Sequence, residues 1–168
     1  MKKLYIIIGA SGAGKTTAAR ALENKRSDIQ FCYPDKEQYI PSEEEMVKQY
    51  GSSSNWQKAK TIEWVKSIKE KYLNEKAVLM DTQSRYEFIE TACAENNIND
   101  FQVILFDCED KIRNQRIHTR GQPHLANPKM DDWARFLRED AKKHNCFIIN
   151  TSNMSVEETV ISLENSLK

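Results

Sequence analysis

The sequence is 168 residues long, and 25 Asp and Glu side chains balance its 25 Lys and Arg side chains, so the formal net charge is zero. This length fits one domain with a substantial hydrophobic core, and we expect a single domain over residues 1–168. Zero net charge gives no overall attraction for DNA, RNA or an anionic membrane, which argues against nucleic acid as a partner. The four cysteines are widely spaced, and no apolar stretch is long enough to span a bilayer. These features favour a soluble, cytoplasmic protein.

The first apolar run, Leu4–Ile8, predicts a buried strand, and a segment with the spacing Gly-x-x-x-x-Gly-Lys-Thr follows it. This spacing is typical of a phosphate-binding loop between a strand and a helix. The glycines let backbone N–H groups surround a phosphate, and the next helix adds partial positive charge from its N-terminus. We predict that Lys15 contacts the β- and γ-phosphates of a nucleoside triphosphate and that the Thr16 hydroxyl binds Mg²⁺. The residues predicted to contact the nucleotide here are Gly9, Ala10, Ser11, Gly12, Ala13, Gly14, Lys15, Thr16 and Thr17.

Four further apolar runs are short and nearly continuous, as in strands that are buried on both faces of a parallel sheet. They are Ile29–Tyr33, Ala77–Met80, Phe101–Phe106 and Cys146–Ile149. Helical patterns with N-terminal capping signals separate these runs. The signals are Ser42-x-x-Glu45, Ser84-x-x-Glu87, Asn127-Pro128 and Ser155-x-x-Glu158. The last helix carries a predicted core-facing stripe. Its members are Val156, Val160, Leu163 and Leu167. This alternation predicts an α/β fold of three layers with five parallel strands.

Two segments are longer than a minimal alternation of strands and helices requires. Residues 34–76 have room for two helices, which we predict at Ser42–Tyr50 and Ser54–Leu73. Residues 113–128 contain Gly121 and have few large apolar side chains. Ligands of open α/β sheets bind beyond the carboxyl ends of the strands, so both segments should flank the nucleotide. We predict that residues 34–76 hold an acceptor and that residues 113–128 close over the site as a lid.

Three aspartates, Asp35, Asp81 and Asp107, follow apolar strands. A carboxylate at this edge of the sheet faces the phosphates, where it can bind Mg²⁺ or accept a proton from an acceptor. A helix cap or a turn is the alternative for each, and we favour it for Asp107, which directly precedes a helix. Function is favoured for Asp81, because Ser84 is predicted to cap the next helix. We interpret Asp35 as an acceptor-side base or a magnesium ligand, and Asp81 as a further candidate for both.

A polar segment suited to hold an acceptor, residues 81–85, follows the third strand, and Gln83 and Arg85 are its further candidate contacts. Arg116 and Arg120 lie four residues apart, on one face of a predicted helix. Two guanidinium groups can bind a transferring phosphoryl group, because each planar fork donates two hydrogen bonds. A solvated basic helix face is the alternative for this pair. The three tryptophans lie in helical patterns and are interpreted as core residues.

The whole layout resembles the adenylate-kinase-like group of P-loop kinases, which includes shikimate, gluconate and nucleoside kinases. Arg116-x-x-x-Arg120-Gly121 is similar to the lid of polynucleotide 5′-hydroxyl kinases, in which two such arginines contact ATP phosphates. Asp35 falls where those enzymes and shikimate kinases place an aspartate that acts as base or holds magnesium. Residues 81–89 and 120–126 look like segments of uncharacterised bacterial kinase-like ATPases. The resemblance implies ATP and Mg²⁺ as cofactors and a strand order of 2-3-1-4-5. It also implies that adenine packs against the loop after the last strand. That loop contains Asn150, Thr151, Ser152 and Asn153.

Two classes of function are compatible with these features. The first is a kinase that transfers the γ-phosphoryl group of ATP to a small hydroxyl- or phosphate-bearing acceptor, such as a nucleoside, a nucleotide or a sugar. The second is a switch protein that binds and hydrolyses ATP. The arginine-bearing lid and the absence of an Asn-Lys-x-Asp guanine-reading motif favour the kinase. Polynucleotide end processing shares the lid pattern, but no basic stripe accompanies it. The segment Lys36–Tyr39 matches no recognised acceptor signature, so the acceptor stays open.

Overall fold

The computed structural model describes residues 2–37 and 39–167, so Met1, Lys168 and Gln38, which belongs to the segment Lys36–Tyr39, lie outside the described residues. The strands are β1 (Leu4–Ile8), β2 (Ile29–Cys32), β3 (Ala77–Asp81), β4 (Phe101–Asp107) and β5 (Phe147–Asn150). They form one sheet in the order β2-β3-β1-β4-β5, and every adjacent pair is parallel. The predicted α/β class, the five parallel strands and their order are confirmed.

Helices cover both faces of this sheet. They are α1 (Lys15–Glu23), α2 (Pro34–Glu37), α3 (Glu43–Tyr50), α4 (Ser53–Lys71), α5 (Tyr86–Glu95), α6 (Asp110–Thr119), α7 (Pro128–Lys143) and α8 (Val156–Ser166), with a short 3-10 helix at Pro123–Leu125. Side chains alternate along a strand, so the central strand β1 supplies both faces. Ile6 belongs to the hydrophobic cluster that contains Ile89 of α5, whereas Ile7 belongs to the cluster that contains Leu22 of α1 and Leu163 of α8. The molecule therefore has three layers.

Two of the three predicted capping boxes are confirmed. The Ser42 and Ser155 hydroxyls each accept a hydrogen bond from the backbone N–H three residues later, at the starts of α3 and α8. The predicted cap Asn127 is confirmed too, because its side chain accepts from the N–H of Met130 at the start of α7. These three helix starts could be predicted from the sequence, because each capping residue and the helix that it caps belong to one short segment.

The capping box predicted at Ser84 and Glu87 is wrong. The helix begins at Tyr86 without a local side-chain cap. The Ser84 hydroxyl instead lies 2.8 Å from the Thr61 hydroxyl in α4. The Tyr86 N–H donates at 3.2 Å to the carboxylate of Asp140 in α7. A carboxylate from another helix therefore caps α5, and no local pattern reveals such a partner.

The predicted core stripe of α8 is confirmed except at its first position. Val160, Leu163 and Leu167 are buried. Val156 is 54% exposed, because it is the first residue of the helix and lines a cavity beside α1. Among the predicted core tryptophans, Trp56 and Trp64 are buried and lie in contact, whereas Trp133 is only half-buried.

Three of the four cysteines have neutral thiols in this fold. Within the described ranges all four are free thiols. Burial raises the pKa of Cys32 and of Cys93 to about 12, and that of Cys146 to about 11. These thiols are therefore neutral near pH 7. Over the same ranges, no helix combines the length and the apolar character that crossing a bilayer requires.

Candidate active site

The phosphate-binding loop connects β1 to α1 at the carboxyl edge of the sheet. Gly14, at the N-cap of α1, has a φ of 94°, which an L side chain rarely adopts. Gly12 has a φ of 88°, and a Cβ there would lie 2.8 Å from the Arg113 carbonyl oxygen and 2.9 Å from a side-chain carbon of Ile117. The loop therefore turns at Gly14 and lies directly against α6 at Gly12, where only glycine fits.

Lys15 is buried inside this loop. Its ammonium group donates to the carbonyl oxygens of Gly9 at 2.5 Å and Ala10 at 3.4 Å. Burial is the largest cause that lowers the pKa of Lys15, and the nearby carboxylates of Asp81 and Asp35 oppose it. Two acids thus lie close enough to the loop cation to act on its charge. A phosphate bound in the loop would offer Lys15 a stronger acceptor than the carbonyls it now contacts.

Thr16 and Asp81 are held together at the start of α1. The Thr16 hydroxyl donates to the Asp81 carboxylate at 2.5 Å. Asp81 is the last residue of β3 and pairs in register with Ile7 of β1, so strand pairing brings this acid beside the loop. No three His, Cys, Asp or Glu side chains cluster as a metal site within the described ranges. A hydroxyl and one carboxylate still fit Mg²⁺, which keeps several waters and uses phosphate oxygens as further ligands.

Asp35 lies in α2, just after the edge strand β2. One carboxylate oxygen accepts from the Gln83 N–H at 2.7 Å, and the other accepts from the Thr82 hydroxyl at 3.2 Å. Burial is the largest cause that raises the pKa of Asp35, while the Gln83 N–H and the Lys15 cation act in the opposite direction. A raised pKa makes a carboxylate a better proton acceptor near neutral pH.

Asp107, for which we favoured a cap or turn role, has a structural role. Its carboxylate accepts from the Cys108 N–H at 2.9 Å and from two guanidinium nitrogens of Arg138 at 2.7 and 2.9 Å. Both oxygens are therefore engaged in fixing the turn after β4 to α7. Asp107 also does not line the cavity that Asp35 and Asp81 share with the phosphate-binding loop, which is described next.

The loop, Asp35 and Asp81 line one cavity, which we call the phosphate cavity. Its lining residues are Ser11, Gly12, Gly14, Lys15, Thr16, Thr17, Asp35, Lys36, Asp81, Gln83 and Arg120. A second cavity of about 400 Å³ adjoins it and shares part of the loop and Arg120. Its other lining residues are Ala18, Gln115, Arg116, Thr119, Thr151, Met154, Val156 and Thr159. The first cavity carries the charges that phosphates and a cation need, and the second offers the largely apolar walls that suit a nucleotide base.

Arg116 and Arg120 both line the larger cavity, as their spacing predicted, but their partners differ. The Arg116 guanidinium donates to the Thr151 hydroxyl at 2.9 Å and to the Thr151 carbonyl at 2.7 Å. The same hydroxyl donates to the Ala13 carbonyl at 2.9 Å, so Arg116 also braces the phosphate loop. Arg120 is exposed and lines both cavities, and its guanidinium forms no hydrogen bond or ion pair with another described residue. Arg120 is therefore the guanidinium that is free to bind a phosphate.

Three residues of the loop after β5, Thr151, Ser152 and Asn153, were predicted to contact the nucleotide, and one of them lines the larger cavity. Thr151 lines the cavity. The buried Ser152 hydroxyl instead accepts from the Glu109 N–H and donates to the Asn150 side chain, and Asn153 is exposed outside the lining. The residues that complete the wall are Met154, Val156 and Thr159. They reach the cavity because α8 packs on α1, which no motif in the sequence signals.

Arg113, the first residue of the segment predicted to form the lid, is completely buried and paired, so it does not belong to a mobile lid. Its guanidinium forms an ion pair with Asp131 of α7 and lies 3.5 Å from Asp110. It also donates to the Ser11 carbonyl at 3.4 Å. Arg113 therefore joins the phosphate loop, α6 and α7. The partners are far apart in sequence, so local patterns could not reveal the contact.

A family model described as an AAA domain matches residues 6–133, about three quarters of the chain. The chain belongs to the AAA domain family. Its P-loop domain therefore binds a nucleotide, in agreement with the loop geometry above. Among curated protein sequences, none gives a significant match.

Solved structures of small-molecule kinases share this fold. A sugar kinase from Janibacter sp. HTCC2649 has a TM-score of 0.68 at 13% identity, over 98% of this chain and 94% of that chain. A deoxyadenosine kinase from M. mycoides has a TM-score of 0.63 at 18% identity, over 98% of both chains. A shikimate kinase from Acinetobacter baumannii has a TM-score of 0.56 at 16% identity, over 100% of this chain and 97% of that chain. The expected likeness to P-loop kinases is confirmed for the fold.

The structure separates the acceptor candidates Gln83 and Arg85. Gln83 lines the phosphate cavity, whereas Arg85 lines a different cavity beside α7. The Arg85 Nε donates to the Gln57 side chain at 3.3 Å. Its guanidinium carbon lies within 5.3 Å of three aromatic ring centroids. The rings are those of Phe88, Trp133 and Phe136. Sequence reasoning missed this arrangement, because the rings come from two helices that are distant in the chain.

Proposed function

We propose that the protein is a P-loop kinase that transfers the γ-phosphoryl group of ATP to a small hydroxyl- or phosphate-bearing acceptor, such as a nucleoside, a nucleotide or a sugar. The observation that carries this proposal is the phosphate cavity, which contains Asp35 in addition to Lys15, Thr16 and Asp81. Nucleotide binding uses the loop and the metal-side acid, whereas transfer to a hydroxyl also needs a group that accepts its proton. The names of the structural neighbours, a sugar, a shikimate and a deoxyadenosine kinase, support the same class of reaction.

Four charged groups of the cavity have a role in this transfer, namely those of Lys15, Asp35, Asp81 and Arg120. Lys15 and Arg120 would neutralise the phosphate oxygens. Thr16 and Asp81 would hold Mg²⁺, which supplies further positive charge to the phosphates when bound. Asp35 takes the proton of the acceptor hydroxyl while the acceptor oxygen bonds to the γ-phosphorus. The bond from that phosphorus to the bridging oxygen breaks, and the oxygen leaves with the electron pair as part of ADP.

The larger cavity would bind the base of ATP. Met154, Val156 and Ala18 supply apolar surface, and the Arg116 guanidinium is held in place by its two hydrogen bonds to Thr151. Because Thr151 also contacts the Ala13 carbonyl, the wall of the base cavity and the phosphate loop form one connected network. Base and phosphates are thereby bound in a fixed relative position.

A screen for acceptor-dependent ADP release tests this proposal, with nucleosides, nucleotides, sugars and aminoglycosides as candidate acceptors. The variant Asp35→Asn keeps the shape of the side chain but cannot take the proton. We expect its kcat to fall about a hundredfold or more, the scale of a positioned general base, with little change in ATP affinity. Asp28→Asn, at an exposed acid paired with Arg26, is the matched control and should keep normal turnover.

Three outcomes would change the assignment. Steady ATP hydrolysis that no acceptor stimulates would favour a switch protein over a kinase. Near-normal turnover of Asp35→Asn would move the base to Asp81. Weaker nucleotide·Mg²⁺ binding by Asp35→Asn, with a rate partly restored by added Mg²⁺, would make Asp35 a metal ligand instead.

A further inference from the structure

A separate cavity of about 570 Å³ lies among the start of α5, the 3-10 helix and α7. We call it the aromatic pocket and define it by Arg85, Leu125, Met130, Trp133 and Phe136. None of these residues lines the phosphate cavity or the nucleotide-base cavity. The role of the pocket is thus not explained by ATP binding.

The walls of the aromatic pocket are flat. The Trp133 and Phe136 rings stack with their centroids 5.4 Å apart and an angle of 16° between their planes. The Arg85 guanidinium lies 5.3 Å from the first ring centroid and 5.2 Å from the second. Phe136 is 39% exposed, so part of this aromatic surface is open to a ligand. Ring faces and guanidinium planes are the surfaces on which flat aromatic groups stack.

Gln57 of α4 connects the aromatic pocket to the transfer site. Its side-chain amide donates to the Gln83 carbonyl at 3.2 Å, and its oxygen accepts from Arg85 at 3.3 Å. The Gln83 N–H in turn donates to Asp35. Because Gln83 and Arg85 are two positions apart, their Cα atoms are separated by at most about 7 Å. Neighbouring residues of one short segment therefore join the aromatic pocket to Asp35, which is the arrangement that an acceptor with its ring beside Arg85 and its hydroxyl beside Asp35 would require.

The aromatic pocket also lies near the segment predicted to hold the acceptor. Lys129 lines the pocket, and its ammonium group lies 3.4 Å from the carboxylate of Glu43 in α3. Helix α3 belongs to the segment predicted to hold the acceptor, and α7 follows the segment predicted to form the lid. The contact between their side chains shows that α3 and the start of α7 lie close together, so the aromatic pocket is near the segment predicted to hold the acceptor.

We infer that the aromatic pocket is the ring-binding half of the acceptor site, and that the acceptor is a nucleoside-like molecule: a flat aromatic ring joined through a short polar spacer to the reacting hydroxyl. The ring stacks on the surface formed by Trp133 and Phe136, and the Arg85 cation strengthens this stacking. The inference rests on the proposed kinase function, which supplies the phosphoryl donor and the proton acceptor.

The test compares nucleosides with D-ribose, which has the hydroxyl-bearing sugar but no aromatic base. ADP release is measured for both, and for shikimate, gluconate and a short single-stranded oligonucleotide with a free 5′-hydroxyl. We expect kcat/KM to be at least tenfold higher for a nucleoside than for the acceptors without an aromatic ring. Trp133→Leu should lower kcat/KM for the nucleoside about tenfold, the scale of one base–aromatic stack. Phe147→Leu, at an exposed ring on β5 outside the pocket, is the matched control and should have no effect.

A binding measurement separates this inference from the proposed function. With a non-hydrolysable ATP analogue saturating the base cavity, a nucleoside should quench tryptophan fluorescence in the wild type and in Phe147→Leu but not in Trp133→Leu. If no acceptor is phosphorylated, the kinase proposal fails, and this quenching alone decides whether the pocket binds rings. Absence of quenching overturns the inference. Turnover of ribose, gluconate or shikimate that Trp133→Leu leaves unchanged also overturns it, while the kinase proposal stands.

Two further results complete the test. Turnover of the oligonucleotide without turnover of any nucleoside would replace the small acceptor with a polynucleotide end and overturn the inference. If Trp133→Leu melts well below the wild type, Phe136→Leu takes its place, because Phe136 is the more exposed ring and its replacement disturbs less packing. The same loss of nucleoside kcat/KM in Phe136→Leu supports the ring-binding pocket, and unchanged kcat/KM contradicts it.

Discussion

We expect a bound phosphate to replace the hydrogen bonds that the Lys15 ammonium group now makes to loop carbonyls. This ammonium group is buried and donates to two loop carbonyls. We expect Lys15→Ala to leave the melting temperature of the nucleotide-free protein nearly unchanged, because the removed cation is desolvated and its pKa is lowered by burial. ATP·Mg²⁺ should then lose most of its stabilising effect, which for a tight ligand at a hundred times its Kd is about 2.7 kcal/mol. Thermal melting with and without ATP·Mg²⁺ measures this.

The control for this experiment is Lys25→Ala, at an exposed lysine just after α1. It should keep the full shift in melting temperature caused by ATP·Mg²⁺. If Lys15→Ala also keeps the full shift, the assignment of the phosphate-binding loop loses its main support, because the charge of Lys15 would then contribute nothing to nucleotide affinity.

The ion pair between the fully buried Arg113 and the partly exposed Asp131 links the phosphate loop to α7, because Arg113 also donates to the Ser11 carbonyl. We expect Asp131→Ala to lower the free energy of unfolding by about 3 kcal/mol, because it leaves a buried guanidinium without its main partner. The double variant Arg113→Met with Asp131→Leu should recover most of this loss, since apolar side chains of similar volume often replace a buried ion pair without cost. Urea unfolding measures both values.

Asp132→Ala is the matched control for the ion pair. The Asp132 carboxylate pairs with Arg135 at 2.9 Å, but both side chains are exposed, and exposed pairs contribute little. We expect no measurable change in unfolding free energy for this variant. If the double variant were as unstable as the sum of its single changes, the pair would not act as a unit, and its role in holding the Ser11 carbonyl would be contradicted.

At the scale of whole elements, what the sequence predicts well is what local patterns determine. The bounds of β1 were predicted to the residue, and the other strands within about one residue, because buried parallel strands are continuous apolar runs. The position of the phosphate loop between β1 and α1 was predicted for the same reason, since its motif is contiguous. Six of the nine residues predicted to contact the nucleotide there line the phosphate cavity, and Gly9, Ala10 and Ala13 do not. We favoured a functional role for Asp81 because Ser84 was expected to cap the next helix. That cap does not exist, but strand pairing does place Asp81 beside Thr16.

The features that sequence reasoning missed all join distant elements. Asp140 of α7 caps α5, and α8 brings Val156 to the nucleotide cavity. Trp133 was interpreted as a core residue, because a helical apolar stripe does not reveal which of its members stays partly exposed. Such contacts depend on how helices pack on the sheet, and the packing is set by the whole chain rather than by a short segment.

The structure narrows which part of the predicted lid can move. Arg113 and Ile117 of α6 are completely buried, so this helix is a fixed wall of the cavity. Residues 120–128 contain Gly121 and the 3-10 helix and are mostly exposed. We expect fast amide hydrogen exchange in residues 120–128 without nucleotide and slow exchange with a bisubstrate analogue, because few buried contacts hold the segment. The amides of α6 should be protected in both states and serve as the internal control. Equal protection of residues 120–128 with and without the analogue would remove the lid.

At the scale of the whole molecule, the ionised carboxylate of Asp35 in the phosphate cavity opposes stability. Asp35 has a raised pKa, mainly because of burial, so ionising it costs the folded state free energy. Because the folded-state pKa lies above the unfolded value of about 3.9, the protonated form of Asp35 favours folding. This contribution is fully present below the unfolded pKa and is lost as the pH rises through the folded-state pKa.

Asp35→Asn should therefore stabilise the nucleotide-free protein at neutral pH while it removes activity. The amide still accepts from the Gln83 N–H but carries no charge. The melting temperature at pH 7 should rise by about 2–4 °C for each kcal/mol of relieved penalty, and the gain should vanish toward pH 3, where the wild-type carboxyl is already protonated. Asp28→Asn is the contrast, because the hydrogen bond from Arg26 lowers the pKa of exposed Asp28 to about 2 and gives the opposite sign. A lower melting temperature for Asp35→Asn at pH 7 would show that Asp35 serves folding through its bonds to Gln83 and Thr82. Asp35 would then not be a base that is retained at the expense of stability.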